Sequence, residues 1–457
     1  MRGGTRFRAS GLILLTQVRP RFRAPLFSNM DARKRVPPLR LRERTDRMQA
    51  LPGFRDFLPN DCALRNYIFA QWREVSRRYG FVEWDGPVLE PTELYRKKSG
   101  NEIVGQLFNF TDKGEREVAM RPELTPTLAR VVAANERQFK KPLKWFSIPQ
   151  CFRYEKQQRG RLREHFQFNA DILGEASVEA DIELIALCID LLRAFGFSSD
   201  DVVVRISDRE FWTDFLRARN VPEDQWQQTL GVIDKSEREP REKTAEQLGE
   251  LAEPVFEIFD NGGESEKLKN LLGGLETRGV VEFAKIDLRI VRGLAYYTGV
   301  VFEAFDRGGK LRAIAGGGRY DNLVAHLSDG AAAIPALGFA MGDVVLGELL
   351  RDRPAAREKM ERGLQRERQL DVYLVVAKEE RRGEAMRHLQ ALRDGGYRVD
   401  YPLIASKVGK QFQAAEHLGA RYAVLYGDEW PQVKVKNLAT REEQLVRHED
   451  LLAHLAR

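Results

Sequence analysis

The 457 residues are enough for about three domains of ordinary size, and 43% of them are hydrophobic, which is typical of soluble globular proteins. No run approaches the roughly 18 apolar residues of a membrane-spanning helix, so no membrane partner is expected. The formal net charge of +6 comes from residues 1–50, which hold 13 Lys/Arg and 3 Asp/Glu, against 61 and 65 in the rest of the chain. Global charge therefore does not indicate a nucleic-acid partner, and only a local basic cluster could.

The cysteines predict no metal site. Cys62, Cys151 and Cys188 form no C-x-x-C pair, and the six histidines supply no matching ligand set. A structural zinc or a disulfide framework is therefore not expected, and a reducing compartment fits this pattern.

Residues 1–47 are rich in arginine, contain proline and lack hydrophobic periodicity, which predicts a disordered basic extension. Three explanations compete: an organelle transit peptide, a wrongly chosen start codon and a nucleic-acid-binding tail. The low serine content and the later methionines, Met30 and Met48, favour the start-codon explanation. The expected location is the cytoplasm, or the mitochondrion or chloroplast if the extension is a transit peptide.

Order is expected to begin near Leu51. Apolar side chains recur at helical spacing from Leu64 to Tyr79 and stop before Gly80, which predicts an amphipathic helix. Aromatic and β-branched residues predict strands at 143–154, 164–174 and 296–305. The remaining segments are a helix at 178–195, an inserted helical module at about 208–284 and a charged linker at 351–369.

The C-terminal segment alternates short strands with helices. The predicted strands are 370–376, 397–401, 422–426 and 433–435, and the predicted helices are 382–393, 410–418 and 442–455. This alternation predicts a small, largely parallel α/β sheet. Such a sheet binds its ligands beyond the carboxyl ends of its strands.

The first motif that carries chemistry is Phe152-Arg153-Tyr154-Glu155, followed by a basic loop at 156–163. Arg153 and Glu155 are two positions apart and point to the same face of a strand, where one can bind a phosphate and the other can accept from an exocyclic amine. The loop is suited to a triphosphate or an RNA end. A solvated charged hairpin explains the same composition.

Two glycine-containing clusters follow. Residues 292–299 place Arg292, paired tyrosines and two glycines close together, so a polar ligand can meet both side chains and backbone. An edge strand entered by a turn is the alternative. Three glycines at 316–318 precede Arg319, and they indicate a bulge, a backbone that contacts a ligand, or a hairpin turn. The cluster is not a P-loop, because the Lys-Ser/Thr ending is missing.

The ordered set of motifs resembles class II aminoacyl-tRNA synthetases and, within them, the histidyl-tRNA synthetases. The segments that carry the resemblance are Pro87-Val88-Leu89-Glu90, Arg121-Pro122-Glu123-Leu124-Thr125, and residues 152–174, 292–298, 317–321 and 370–457. Each motif alone is weak, but their order over residues 51–457 is specific. The sequence of residues 292–297 is similar to that of a bacterial and plant-organelle branch of the family.

The resemblance implies a fold and an activity. The fold is an α+β class II catalytic domain at 48–350, an antiparallel sheet with flanking helices, followed by a C-terminal α/β anticodon-binding domain at 370–457. The activity is activation of L-histidine with ATP and Mg²⁺ and transfer of the amino acid to tRNA(His). The motif that contains Pro87 resembles a dimer interface, so a homodimer is implied.

The resemblance also implies roles for individual residues. Arg153 and Arg292 would bind the α-phosphate and the carboxylate, while Arg161 would bind the outer phosphates and Glu155 the adenine amine. The residues expected to bind histidine are Glu123, Thr125 and Gln167 at the α-ammonium, Asp171 and Tyr297 at the imidazole, Tyr320 closing the pocket, and in addition Arg292 and Tyr296. Arg292, Arg153 and Gln167 are the residues expected to act in catalysis.

Two positions depart from the family pattern. Most members have Glu where this chain has Asp171, whose carboxylate reaches about 1.5 Å less far. The pocket must then be contracted or bridged by water. The third class II motif normally ends Gly-x-Glu-Arg, but Val345 stands here in place of the Arg that covers the nucleotide.

Three alternatives stay open on the sequence. A regulatory subunit of ATP phosphoribosyltransferase keeps a histidine pocket but normally lacks the C-terminal domain, so residues 370–457 argue against it. A prolyl or threonyl synthetase would not carry the two histidine signatures. A degenerate synthetase used as an RNA sensor has only Val345 in its favour.

Overall fold

The computed structural model describes residues 49–455 except 157, 159 and 292–295. The chain divides into two units, Met1–Gln49 and Ala50–Arg457, and the predicted basic extension at 1–47 lies outside the described residues. Across the described part of the chain, no helix combines the length and apolar character needed to cross a membrane.

The helices of the described residues are α1 (Pro59–Arg78), α2 (Thr92–Ser99), α3 (Thr125–Ala134), α4 (Val178–Ala194), α5 (Arg209–Ala218), α6 (Glu223–Lys235), α7 (Arg241–Leu248), α8 (Ala252–Asn261), α9 (Glu266–Thr277), α10 (Leu323–Leu327), α11 (Asp343–Asp352), α12 (Pro354–Arg368), α13 (Arg382–Asp394), α14 (Val408–His417) and α15 (Leu451–Leu455). The strands are β1 (Val82–Glu83), β2 (Leu89–Pro91), β3 (Asn109–Thr111), β4 (Glu117–Met120), β5 (Leu143–Ser147), β6 (Gln150–Phe152), β7 (Glu164–Leu173), β8 (Val202–Asp208), β9 (Ala284–Ile286), β10 (Val300–Asp306), β11 (Ala315–Arg319), β12 (Ala336–Gly342), β13 (Val372–Val376), β14 (Val399–Asp400), β15 (Tyr422–Tyr426), β16 (Gln432–Asn437) and β17 (Glu443–Arg447).

A large sheet with the order β1-β5-β7-β12-β11-β10-β8-β9 organises residues 50–350, and β6 pairs with β7. Every pair from β5 to β8 is antiparallel, and only the outer pairs β1–β5 and β8–β9 are parallel. Helix α4 packs against β7, β11 and β12. The predicted antiparallel sheet with flanking helices is confirmed.

Helix α1 shows how the sequence specifies these elements. Its apolar positions recur at helical spacing, and Trp72 and Val75 are fully buried. Pro59 occupies the first turn, where the missing N–H costs nothing. The helix ends before Gly80, which has a φ of +74° that favours glycine. The predicted helix and its end are both confirmed.

Strand β7 separates the core from the opposite face of the sheet. Its alternate residues Phe168, Ala170 and Ile172 belong to the core cluster that contains α4. Side chains of a strand alternate between faces, so residues 167, 169 and 171 point away from that core. These three polar positions line a pocket.

The charged segment at 208–284 forms α5 to α9, as predicted. It leaves the sheet at the end of β8 and returns as β9, which pairs parallel with β8. The segment predicted as a charged linker forms helix α12, because Ala356 and Met360 give it an apolar side that is buried. Helix α12 packs against α1.

The C-terminal sheet has the order β14-β13-β15-β16-β17. Its first two pairs are parallel and its last two antiparallel, so the predicted largely parallel sheet is mixed. The predicted helix at 442–455 is wrong over its first half, because Glu443–Arg447 forms β17, and the helical part consists of a 3-10 turn at His448–Asp450 followed by α15 at Leu451–Leu455. Val446 is buried opposite Val433, and this pairing outweighs the local preference for a helix.

Candidate active site

Two adjoining cavities open on the face of the large sheet that lies opposite α4. The larger has a volume of about 870 Å³ and the smaller about 90 Å³. They share four lining residues: Arg153, Gln167, Gly316 and Ala340. Two ligands, one bound in each cavity, would therefore meet at Arg153 and Gln167.

The small cavity gathers residues from separate parts of the chain. Every described residue that the resemblance assigns to histidine lines it: Glu123, Thr125, Gln167, Asp171, Tyr296, Tyr297 and Tyr320. Thr125 begins α3, and Gln167 and Asp171 share one face of β7. Arg292, the remaining residue assigned to histidine, lies outside the described residues.

One end of the small cavity is a buried carboxylate. The Tyr320 hydroxyl donates a 2.5 Å hydrogen bond to Asp171 Oδ1, and both residues are at most 4% exposed. Burial raises the pKa of Asp171 to about 7, although the bond from Tyr320 and the charge of Lys98 act in the other direction. Asp171 is thus poised between donor and acceptor near neutral pH, as a partner for an imidazole requires.

Gly338 makes room for this carboxylate. It stands opposite Asp171 in the β7–β12 pairing, and a Cβ at Gly338 would overlap Asp171 Oδ1. The small volume and the short bond to Tyr320 fit the first of the two alternatives for an aspartate at this position, a contracted pocket.

The other end of the small cavity carries a carboxylate held in its ionised form. Lys98 Nζ lies 2.5 Å from Glu123 Oε2, and the Lys98 side chain is only 1% exposed. Burial opposes the ionisation of Glu123, but Lys98 and then Arg153 outweigh it and lower the pKa of Glu123. Lys98 Nζ also lies 4.2 Å from the centre of the Tyr296 ring. An ionised Glu123 can accept hydrogen bonds from an ammonium group.

The large cavity is rich in guanidinium groups. Arg153 donates through Nε to the Pro122 carbonyl at 3.0 Å, which ties it to the segment that carries Glu123. Arg161 lies in ion-pair contact with Glu155, although its N–H is not aimed for a hydrogen bond, since among the described residues Glu155 Oε2 accepts none. The resemblance assigns both partners of this pair to ATP.

His165 and Val345 complete the wall of the large cavity. Burial lowers the pKa of His165 to about 3, and the charge of Arg153 adds to the effect, so its imidazole is neutral. Val345 is 9% exposed and contributes no hydrogen-bond donor.

A network of ion pairs around Arg55 connects two elements that border the large cavity. Arg55 donates to Glu164 at 2.5 Å and to Asp343 at 2.9 Å, and Asp343 accepts from the backbone N–H of Phe166 at 2.9 Å. The network joins the start of β7 to the start of α11, next to Val345. Asp343 therefore has a structural role two positions before Val345, where the third motif departs from the family pattern.

The three glycines lie in a central strand and not in a turn. Gly317 and Gly318 face neighbouring backbone so closely that a Cβ on either would overlap a carbonyl oxygen. Gly316 lines both cavities. Arg319 forms a buried 2.5 Å ion pair with Asp181, which ties β11 to α4, so it does not face a ligand.

The sequence did not single out Lys98, His165 or Arg312, all of which contact or line the cavities. Lys98 is the third of three consecutive basic residues, a pattern typical of a solvent-exposed segment. His165 lies within a recognised motif, and its position two residues before Gln167, on the same face of β7, was the available signal.

Comparisons with known proteins agree with this geometry. The family model for histidyl-tRNA synthetase matches residues 53–343, and the model for an anticodon binding domain matches residues 371–457. The histidine–tRNA ligase of Opitutus terrae is 46% identical, with 89% of this chain and 97% of the relative covered. The chloroplastic/mitochondrial histidine–tRNA ligase of Arabidopsis thaliana is 39% identical, with 94% and 89% covered.

Solved structures support the fold. The chain is similar to the histidyl-tRNA synthetase from Nostoc, with a TM-score of 0.74, 24% identity and coverage of 90% of this chain and 99% of the other. It is also similar to an ATP phosphoribosyltransferase regulatory subunit/histidyl-tRNA synthetase from Bacillus halodurans, with a TM-score of 0.65, 21% identity and coverage of 82% and 97%.

Proposed function

The chain belongs to the histidyl-tRNA synthetase family, and we propose on this premise how its two cavities carry out the reaction. It activates L-histidine with ATP and transfers the amino acid to the 3′ end of tRNA(His). Activation is an attack by a carboxylate oxygen of histidine on the α-phosphorus of ATP, with pyrophosphate as the leaving group. Such a step depends on positioning and on neutralisation of charge.

One observation carries the assignment: the two cavities meet at Arg153 and Gln167. Histidine in the small cavity would direct its carboxylate toward this junction, where ATP in the large cavity would present its α-phosphate. Arg153 would then bind both reacting groups, and Gln167 would hold the α-ammonium beside them.

At the amino-acid end, Glu123 and Thr125 would accept from the α-ammonium, since Lys98 keeps Glu123 ionised. Asp171 would accept the imidazole N–H while Tyr320 fixes the orientation of its carboxylate. Tyr297 would complete the polar contacts of the imidazole, and Tyr296 would pack beside it.

At the nucleotide end, the contact between Arg161 and Glu155 would open when ATP enters. Arg161 would turn to the outer phosphates and Glu155 to the adenine amine. Arg161 keeps an anionic partner, because a phosphate replaces the carboxylate, and Glu155 exchanges the guanidinium for a neutral hydrogen-bond donor. Arg292 is assigned to the α-phosphate and carboxylate by its motif alone.

Mg²⁺ enters this proposal bound to the phosphates of ATP. Among the described residues no group of three His, Cys, Asp or Glu could hold a metal, but Glu303 lines the large cavity. One or two carboxylates together with phosphate oxygens are the usual ligands of Mg²⁺. The carboxylate of Glu303 in the cavity wall therefore fits a Mg²⁺ ion that is bound to the phosphates. When bound, Mg²⁺ neutralises phosphate charge.

We also propose the division into a catalytic domain at 48–350 and a tRNA anticodon-binding domain at 370–457.

Homodimer formation is supported by exposed apolar side chains near the motif that contains Pro87: Val82, Val88, Leu89 and Phe110 are 43% to 62% exposed. Sedimentation equilibrium tests it, and a monomer at micromolar concentration would contradict it. For the location we propose the cytoplasm, with the mitochondrion or chloroplast as the alternative.

Pyrophosphate exchange driven by each standard amino acid tests the assignment. Histidine alone should support exchange, because a site that hydrogen-bonds its substrate discriminates by roughly 10⁴ or more against molecules that lack those groups. Exchange driven best by proline or threonine would refute it.

A further inference from the structure

Arg312 lines the large cavity and, like Arg153 and Arg238, forms no ion pair among the described residues. Arg161 contacts Glu155, and Arg205 lies 2.6 Å from Glu237. Arg312 donates to the neutral side-chain oxygen of Gln158, and within the described part of the chain it has no ion pair with a carboxylate. An exposed guanidinium that faces a cavity without a counter-charge is available to an anion.

The position of Arg312 places this charge beside the loop that carries Arg161. It lies in the connection between β10 and β11 and lines the large cavity. Gln158, its partner, exchanges two backbone hydrogen bonds with Arg161, of 3.2 and 2.9 Å, which close the tip of the loop. Arg312 and Arg161 therefore approach the cavity at the same point, from two different parts of the chain.

Val345 lies at the same place and supplies no charge. A Cβ built on Gly160, next to Arg161, would meet Val345 Cγ2 at 3.3 Å. The wall that faces the loop turn is thus apolar where it comes from α11. A triphosphate needs several cations, and Arg161 is shared with Glu155 before the nucleotide enters.

We propose that Arg312 binds the terminal phosphates of ATP, leaving Gln158 when the nucleotide enters, and supplies the cation that Val345 does not. The exchange is favourable, because a hydrogen bond from a guanidinium to a phosphate is stronger than one to a neutral amide. This assignment rests on the proposed function, which places ATP in the large cavity.

An alternative role for Arg312 is purely structural: its hydrogen bond to Gln158 would only hold the basic loop in place. The two roles differ in which part of the nucleotide they affect. Loss of this structural hydrogen bond would disturb the whole loop, including Glu155 at the adenine, and would weaken the binding of AMP and of ATP alike. Loss of a contact to the terminal phosphates would weaken ATP and leave AMP unchanged.

Calorimetric titration of the full chain with ATP and with AMP separates the two roles. Arg312→Gln should weaken ATP binding by roughly 10- to 100-fold, the range for a hydrogen bond to a charged group, and should change AMP binding by less than about twofold. Arg312→Lys should recover part of the loss, because it keeps the charge but not the planar fork. In exchange assays the KM for ATP should rise and the KM for histidine should stay constant.

Arg238→Gln is the matched comparison, since it removes an equal charge from the same cavity without touching the loop. It should weaken ATP binding much less than Arg312→Gln does. Equal losses in the two variants, equal weakening of ATP and AMP, or unchanged ATP binding in Arg312→Gln would each overturn the proposal. A wild-type chain that binds neither nucleotide would instead refute the proposed function.

Discussion

Tyr320→Phe should shift the pH dependence of histidine activation upward. The tyrosine hydroxyl donates a 2.5 Å hydrogen bond to the Asp171 carboxylate and so favours its charged form. A hydrogen bond to a charged group contributes about 1.5–3 kcal/mol, and 1.36 kcal/mol corresponds to one pKa unit. Its loss should therefore raise the pKa of Asp171 from about 7 by roughly one to two units.

The proposal requires an ionised Asp171 to accept the imidazole N–H. A higher pKa of Asp171 should therefore lower histidine activation near neutral pH. At pH 7.5 about three quarters of the wild-type carboxylates are ionised, against roughly a quarter to one thirtieth of the variant carboxylates. The value of kcat/KM for histidine should fall roughly 3- to 25-fold at this pH through the shift alone. Above the new pKa the two enzymes should converge, apart from the lost hydroxyl contact.

The assay is the pH profile of kcat/KM for histidine in pyrophosphate exchange, from pH 6 to 10. Free histidine also titrates in this range, but it does so identically for both enzymes. Tyr79→Phe is the matched control, since it removes a tyrosine that donates to Asp190 at 2.7 Å outside both cavities. An acid limb that does not move in Tyr320→Phe, or that moves equally in Tyr79→Phe, would refute the reasoning.

Three further variants test other parts of the site. Lys98→Met removes the cation that keeps Glu123 ionised, so the KM for histidine should rise roughly tenfold or more, and an equal rise in the KM for ATP would contradict this role. Gly338→Ala places a methyl group against Asp171 and should abolish histidine binding by calorimetry, so normal affinity would contradict the contracted pocket. Deletion of residues 370–457 should preserve pyrophosphate exchange but sharply reduce tRNA charging, so equal charging would contradict the domain assignment.

Local patterns in the sequence predicted those parts of the fold whose neighbours are close in the chain. Helix α1 is one such part, because its apolar spacing and its terminal glycine lie within a single segment. Strand β17 is the contrary case. Its residues Glu443–Arg447 have no strong local preference for a strand, and their pairing with β16 determines the conformation.

The candidate site shows the same division. Glu123 and Asp171 could be named because each lies in a motif whose wording survives in this chain. Lys98 could not, since its burial depends on contacts with Glu123 and with Tyr296, nearly 200 positions away. The space for Asp171 likewise depends on Gly338 in the paired strand.

A crystal structure with a non-hydrolysable histidyl-adenylate analogue would test the central claim most directly. The imidazole should lie in the small cavity, with one ring nitrogen within hydrogen-bond distance of the Asp171 carboxylate and the α-ammonium at Glu123. The phosphate mimic should lie at Arg153, and the adenosine should extend into the large cavity beside Glu155. An imidazole bound away from Asp171, or an analogue that does not bridge the two cavities at Arg153, would contradict the account.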